Sequence, residues 1–340
     1  MNGMLKLIKA LCALPGPSGH ENAVREFISG KAAPLADEIL TDSMGNLLVY
    51  KHGKRYSDKR IMLAAHMDEV GIIILAAEED GFLKFDFVGG VDRRVAIGEK
   101  VLIGDSAIPG VIGVKAIHLS DALEREIIPK TESMYIDIGA SSREEAQKLV
   151  RPGDYGVFDT VQTEFGDGYF KARALDDRTG CAVLLKLLES ELPCDTWFAF
   201  TVQEEVGCRG AQTAAFRIRP DVALVIEGTT AADLPSQKGP EKVCSPGKGP
   251  VIPFMDGGSV YDRELFSKLC ALADNNGITW QTKTMIAGGT DAGVIQRSGS
   301  GTKIAAISAA LRNIHSPSCV GCVRDFDQVL LLARLFLEEL

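Results

Sequence analysis

The chain has 340 residues, of which 46% are hydrophobic and 24% charged, with a formal net charge of −9; this is ordinary globular composition with room for two domains. The acidic balance excludes nucleic acid as the main partner, since phosphate binding needs a basic face. No apolar run approaches the ~18 residues of a membrane helix, and Lys6 and Lys9 break the apolar core that a signal peptide would need, so a cytoplasmic protein without membrane partners is expected.

In chain order, Met4, Leu5, Leu7, Ile8, Leu11 and Leu14 recur at helical spacing and predict an amphipathic helix over 3–14. A Pro/Gly turn ends it. Ser18 and Glu21 then have capping-box spacing, which predicts a second helix through Val24, Phe27 and Ile28 that closes at Gly30. Residues 38–50 read as two short strands around a turn at 44–46, and 61–65 as an apolar strand followed at once by His66. From about 70 to 163, short β-type runs at 82–88, 100–103, 111–114, 134–138 and 155–158 alternate with glycine-bearing turns, the signature of a small barrel or sandwich. Beyond 164 the rhythm is strand, helix, strand. Helices are expected at 176–192, near Ala211, at 261–275, at 292–296 and from about 325, with strands at 196–203, 222–226, 279–285 and 303–308. The expected fold class is therefore α/β. A mostly parallel-sheet α/β domain is made of 1–67 and 164–340, and a small β-barrel-like domain, 68–163, is inserted into it.

Sites in open α/β sheets form at the carboxyl ends of strands. His66 and Asp68 follow one predicted strand, Glu204 and Glu205 another, and Glu227 a third. His315 lies near the end of the last strand region, and Asp176 and Asp177 open the helix after the insertion. Two metal ions that share one carboxylate and take two further ligands each require five residues. His66, Asp176, Glu205, Glu227 and His315 fit that count, and their mixed N/O chemistry suits Zn, Co or Mn better than Ca or Mg. Asp68 could orient the His66 imidazole, and Glu204, beside a ligand, suits a general base. Ordinary readings exist for each: a hydrogen-bonded strand-end histidine, an Asp-Asp helix cap, a solvated glutamate pair. Carboxylates directly after strongly apolar strands are costly to bury without a partner, but the residues alone leave both readings open.

Five ordered segments carry a resemblance. Ala65-His-Met-Asp-Glu-Val-Gly71, Ala174-Leu-Asp-Asp-Arg-Thr-Gly180, Gln203-Glu-Glu-Val-Gly-Cys-Arg-Gly210, Gly288-Gly-Thr-Asp-Ala-Gly293 and Arg312-Asn-Ile-His-Ser-Pro317 resemble the signatures of the tetrahedral (TET) aminopeptidases, a family that includes glutamyl, leucyl and deblocking enzymes. The resemblance spans essentially the whole chain, with Val88-Gly-Gly-Val-Asp92 and Pro109-Gly-Val-Ile-Gly113 in the insertion. It implies two divalent ions per chain, zinc first, with cobalt or manganese as alternatives. The implied ligands are His66, Asp176, Glu205, Glu227 and His315, with Asp176 bridging. It implies catalytic roles for Glu204 as base and Asp68 as the group orienting His66. It also implies a substrate-lining turn at Gly289, Thr290 and Asp291, with Thr290 capping the next helix. The insertion would be the dimerisation domain of a homo-oligomer, from dimer to dodecamer. Two departures stand out: the fourth ligand in that family is more often Asp than Glu227, and the family usually has a Glu where this chain has Cys319.

The expected reaction is release of N-terminal residues from short peptides by a water held between two metal ions, with Glu204 moving its proton. A related dipeptidase or N-acyl amino-acid deacylase would use a similar ligand set. A glycosidase would need two carboxylates but neither metal nor histidine, and some relatives carry a cellulase label. A binding or shell subunit that keeps only the fold is the fourth reading. The eight scattered cysteines read as buried thiols, Cys319 and Cys322 included, and His20, His52 and His118 carry no assigned role.

Overall fold

The computed structural model describes residues 3–286 and 288–340. Helices α1 (Gly3–Ala13) and α2 (Asn22–Ala32) precede a hairpin of β1 (Glu38–Thr41) and β2 (Leu47–Lys51), and then β3 (Ile61–His66). The hairpin turn is organised by Asp42, whose Oδ1 accepts from the backbone N–H groups of Met44, Gly45 and Asn46 at 2.9–3.0 Å. Six strands follow: β4 (Gly71–Ala77), β5 (Leu83–Val88), β6 (Lys100–Ile103), β7 (Ile108–Val114), β8 (Met134–Asp137) and β9 (Tyr155–Phe158). They close into an antiparallel barrel in the order β4-β5-β8-β7-β6-β9, carrying the short helices α3 (Arg93–Ala96) and α4 (Arg143–Leu149). Closure leaves no edge to protect, and alternate residues such as Ile72, Ile74, Val101, Ile103 and Ile112 fill the interior.

The chain then runs through β10 (Thr163–Phe165), β11 (Tyr169–Ala172), α5 (Leu175–Leu188), β12 (Thr196–Thr201), α6 (Arg209–Ile218) and β13 (Val222–Thr230). It finishes with α7 (Arg263–Asn275), α8 (Ala292–Gln296), β14 (Lys303–Leu311), β15 (Cys319–Cys322) and α9 (Val323–Glu338). The main sheet has the order β1-β2-β12-β3-β13-β14. The strands β12, β3, β13 and β14 are parallel to one another, while β2 joins β12 antiparallel and pairs with β1. Every residue of β3 is buried, as expected of a parallel strand covered on both faces. On one face α1, α2, α5, α7 and α9 share a continuous apolar core with β3, β12, β13 and β14. On the other, α6 and α8 cover Met62, Ala64, Ala199, Ala223 and Ala306. The fold is thus mixed α/β with a largely parallel sheet and a closed six-strand barrel.

Several expectations change. Ser18 and Glu21 form no capping box: Glu21 is the N-cap of α2 but makes no side-chain cap. The Ser18 hydroxyl instead donates to Asp68 Oδ2 at 2.6 Å, and Glu21 Oε1 accepts from the N–H of Gly19 and of Gln203. Tertiary partners have taken both groups. Gly30 lies inside α2, not at its end. Residues 279–285 form no strand; only an isolated bridge joins Gln281 to Val251. β13 continues past Ile226 to Thr230 because β14 pairs with it over its whole length, so Glu227 sits within the strand. All eight cysteines are free. No described helix is long and apolar enough to cross a membrane.

Candidate metal centre and active site

The carboxyl end of β3 delivers His66, and the turn after β12 delivers Glu204 and Glu205. β13 delivers Glu227, the first turn of α5 delivers Asp176, and the β14–β15 connection delivers His315. The backbone around them is unusual: Ala174, Gln203, Cys208, Asn313 and His315 all have φ between +53° and +58°. Such conformations cost free energy in non-glycine residues and cluster at functional sites.

Asp176 lies between the two imidazoles. Its Oδ1 is 3.5 Å from His66 Nε2 and its Oδ2 is 3.5 Å from His315 Nε2. Glu227 Oε1 is 3.2 Å from His66 Nε2, and Glu205 Oε2 is 3.1 Å from His315 Nε2. The other nitrogen of each ring faces a backbone carbonyl: His66 Nδ1 lies 3.1 Å from the Asp68 carbonyl and His315 Nδ1 lies 3.2 Å from that of Gly90. If Nδ1 carries the proton in each ring, both Nε2 lone pairs point at carboxylates, an arrangement that calls for a cation between them. His66 Nε2 is buried and makes no hydrogen bond. The donor set therefore fits divalent ions with mixed N/O preference.

The electrostatics agree. Burial and the Glu227 charge push the Glu204 carboxyl up to about 10. Burial pushes Glu227 up to about 8, against the pull of His66. Burial opposes charge on His315, but Asp176 and Glu205 outweigh it and raise the imidazole to about 11. The same competition, with Asp176, Asp68 and Glu227, holds His66 well above its ordinary value. Divalent ions bound among these groups would displace protons from them.

Asp68 has a wider part than orienting one ring. Its Oδ1 lies 3.4 Å from His66 Nδ1, and its two oxygens accept the backbone N–H of Glu204 at 3.0 Å and of Glu205 at 3.1 Å. It therefore ties the β3 end to the glutamate turn. Glu204 shares a 4.8 Å cluster of ligand atoms with His66 and Glu227. In the 288–293 segment, Gly289 is exposed and Thr290 half-buried, and Thr290 Oγ1 accepts from the Ala292 N–H at 3.2 Å. Asp291 is only 1% exposed and accepts from the Thr201 hydroxyl at 2.5 Å.

Three supporting residues escaped the sequence reading. Ser18 holds Asp68. Gly228 donates its N–H to Asp176 Oδ1 at 3.2 Å, and a Cβ there would lie 2.5 Å from that oxygen, so the residue after Glu227 must be glycine. Arg178, from the Asp-Asp-Arg segment, is fully buried. Its guanidinium donates to the carbonyls of Met67, Leu11 and Leu14 at 2.8, 2.6 and 3.0 Å and to Glu69 Oε1 at 3.1 Å. It fixes the strand end at Met67, the residue between His66 and Asp68. Replacing Arg178 by Met is expected to cost about 3 kcal/mol or more, because it strands buried acceptors; a urea melt of the variant reads this as a lower midpoint.

The family profile described as M42 glutamyl aminopeptidase matches residues 45–332. The chain belongs to this family. It is a metallo-aminopeptidase, and the M42 assignment gives the metal-ready cluster its chemical class. The lysyl aminopeptidase of Pyrococcus furiosus is 33% identical over 343 residues, 98% of this M42 chain and 97% of that one. An aminopeptidase from the archaeon Desulfurococcus kamchatkensis superposes with a TM-score of 0.94 at 37% identity, covering 99% of this chain and 95% of that one. The Pyrococcus horikoshii TET1 peptidase, which can assemble into a tetrahedron or a large octahedral shell, superposes with a TM-score of 0.87 at 34% identity, over 99% of this chain and 100% of that one.

Proposed function

We propose that this M42 enzyme releases N-terminal residues from short peptides using two divalent ions held by His66, Asp176, Glu205, Glu227 and His315, with Asp176 shared between them. The observation that carries this reading is the pairing of each Asp176 oxygen with a different imidazole. Bound there, two divalent ions would supply Lewis acidity toward the attacking water and the scissile carbonyl. Glu204 takes the proton from the attacking water and passes it to the leaving amine. Asp68 is a positioning residue that holds His66 and the turn bearing Glu204 in one register. Gly289 and Thr290 line the substrate path, and Asp291 supports it from beneath.

The division into 1–67 with 164–340 and an inserted 68–163 belongs to the same proposal, with the insertion serving contacts between copies of the chain, from dimer to dodecamer. Support comes from its exposed apolar side chains: Ile117, Leu119, Leu123 and Ile127 are 72%, 64%, 76% and 65% exposed, an unusual concentration for a surface without a partner. Eight unpaired thiols favour a reducing compartment, the cytoplasm.

The test is restoration. The protein is stripped with chelator, Zn, Co or Mn is added back singly, and aminoacyl chromogenic substrates are followed beside N-blocked and cellulosic controls. Metal-restored release confined to free-amino substrates is expected, and the best ion identifies itself. Release from N-blocked substrates alone would overturn the aminopeptidase reading in favour of a deacylase.

A further inference from the structure

A cleft of about 570 Å³ between the barrel and the first two helices takes no part in the proposed mechanism. One wall is the link from α1 to α2, with Pro15, Pro17 and His20; the other is built from the β6–β7 hairpin and β9, with Leu102, Asp105 and Tyr155. A cavity of this size, mostly apolar with a few polar groups and set where two folding units meet, has the usual form of a small-molecule site. Its walls restrict the ligand. His20 and Tyr155 stack with centroids 5.5 Å apart and planes 15° apart, which makes a flat aromatic shelf. Asp105, whose Oδ1 is 3.1 Å from His20 Nε2, and Glu26 add two exposed carboxylates. The one fixed cation among the described lining residues, Arg173, is already taken, since its Nη1 donates to both oxygens of Glu69 at 3.0 Å. A planar cation matches this set, because a guanidinium stacks on aromatic faces and pairs with carboxylates.

The link that lines the cleft has a second face. Pro15, Pro17, His20 and Asn22 face the cleft, while Gly16, Ser18 and Glu21 between them bind elsewhere. The Gly16 N–H donates to Glu69 Oε1 at 3.2 Å, the Ser18 hydroxyl to Asp68 Oδ2 at 2.6 Å, and Glu21 Oε1 accepts the Gln203 N–H at 3.2 Å. Asp68 in turn accepts the N–H groups of Glu204 and Glu205. A single short segment thus joins the cleft to the turn that carries the glutamates, through contiguous contacts of the kind that transmit coupling.

We propose that this cleft is an effector site for a small guanidinium-bearing molecule, free arginine or a peptide arginine, which acts on turnover through residues 15–22. The shelf takes the planar group, Asp105 and Glu26 its charge, and Pro15, Pro17 and Leu102 the aliphatic stem. The effect on turnover rests on the roles proposed for Asp68 and Glu204, whereas binding in the cleft does not.

The test uses the full-length, metal-loaded protein and three probes: N-acetyl-argininamide, which has no free amine to be released, free arginine, and N-acetyl-citrullinamide as the neutral isostere. Calorimetry is expected to give a Kd below about 1 mM for an arginine probe, and the tighter of the two names the source. The citrulline probe should bind roughly five-fold more weakly or worse, and the double variant Glu26→Gln, Asp105→Asn should weaken the arginine probe about 3–25-fold, as expected for two exposed ion pairs. Neither residue touches the centre, so the double variant keeps wild-type turnover of a neutral aminoacyl substrate. In wild type the probe should change kcat at saturating substrate by about two-fold or more, which a competitor at the centre would not do, and the double variant should lose this response. No binding up to roughly 10 mM, equal affinity for the citrulline probe, unchanged affinity in the double variant, or binding that leaves kcat unchanged overturns the proposal. If no metal restores turnover but arginine-selective binding is found and depends on Glu26 and Asp105, the aminopeptidase mechanism fails while the guanidinium site stands.

Discussion

Glu204→Gln lowers kcat about 10³-fold and leaves the metal content of the protein unchanged; this is the expected outcome if Glu204 moves the proton and binds no catalytic ion. Glutamine keeps the size of the side chain and its polar contact with Cys208, but it cannot accept and return a proton. Removal of a positioned general base costs typically 10²–10⁴. The location supports the upper part of that range. Glu204 is close to His66 and Glu227, and its carboxyl is held up to about 10 by burial and by the Glu227 charge. Filling the centre with divalent cations brings it back toward the range where it can take a proton from water. Metal analysis and single-substrate kinetics on the same preparation decide the matter: loss of metal together with activity would make Glu204 a ligand instead of a base.

The second large effect is expected for Asp176→Asn. Each oxygen of this carboxylate faces a different imidazole at 3.5 Å, so it is the residue through which both halves of the centre are joined. Asparagine offers one oxygen and one N–H group, and one half must lose its anionic partner whichever way the amide turns. A metal ion acting as a Lewis acid is worth several kcal/mol of transition-state charge stabilisation, so losing one of the two ions would forfeit an effect of that size. At 1.36 kcal/mol per decade, loss of about 4 kcal/mol means turnover below roughly a thousandth of wild type. Metal analysis should find fewer than two ions per chain, and His66→Ala or His315→Ala should each weaken one position more than the other. Normal loading in D176N would show that the carboxylate does not join the two positions.

What the sequence made legible was the part encoded in periodicity and in chemically rare side chains. The parallel strands showed themselves as apolar runs because both faces are covered, and the barrel as short runs between turn residues. The proposed donors at 66, 204–205 and 227 stand out because a carboxylate or imidazole after such a run is conspicuous, whereas Asp176 at a helix start and His315 beyond the last long strand draw their reading mainly from the family resemblance. What could not be read has a common character. The carbonyls of Asp68 and Gly90 that face the two imidazoles are backbone groups, the same in any residue. The need for Gly228 arises from an oxygen belonging to a residue 52 positions earlier. The Ser18–Glu21 pair carried a local helix-capping signal, yet Asp68 and Gln203, distant in sequence, offered these side chains tertiary partners. The three-stranded sheet β10-β11-β15 was invisible because its strands have three or four residues, and β10 is exposed throughout.

The last donor arrives late. His315 sits in the link between β14 and β15; β14 completes the main sheet beside β13, and β15 closes against β11. Synthesis delivers the chain from its N-terminus at about 5–20 residues per second, so His66, Asp176, both glutamates and Glu227 leave the ribosome before their second imidazole exists. A growing chain at that stage has half a centre, and the barrel has already been made. If the proposed ligand set holds, a nascent aminopeptidase chain is inactive until β14 and its following link have emerged, and a product truncated before β14 is inactive as well.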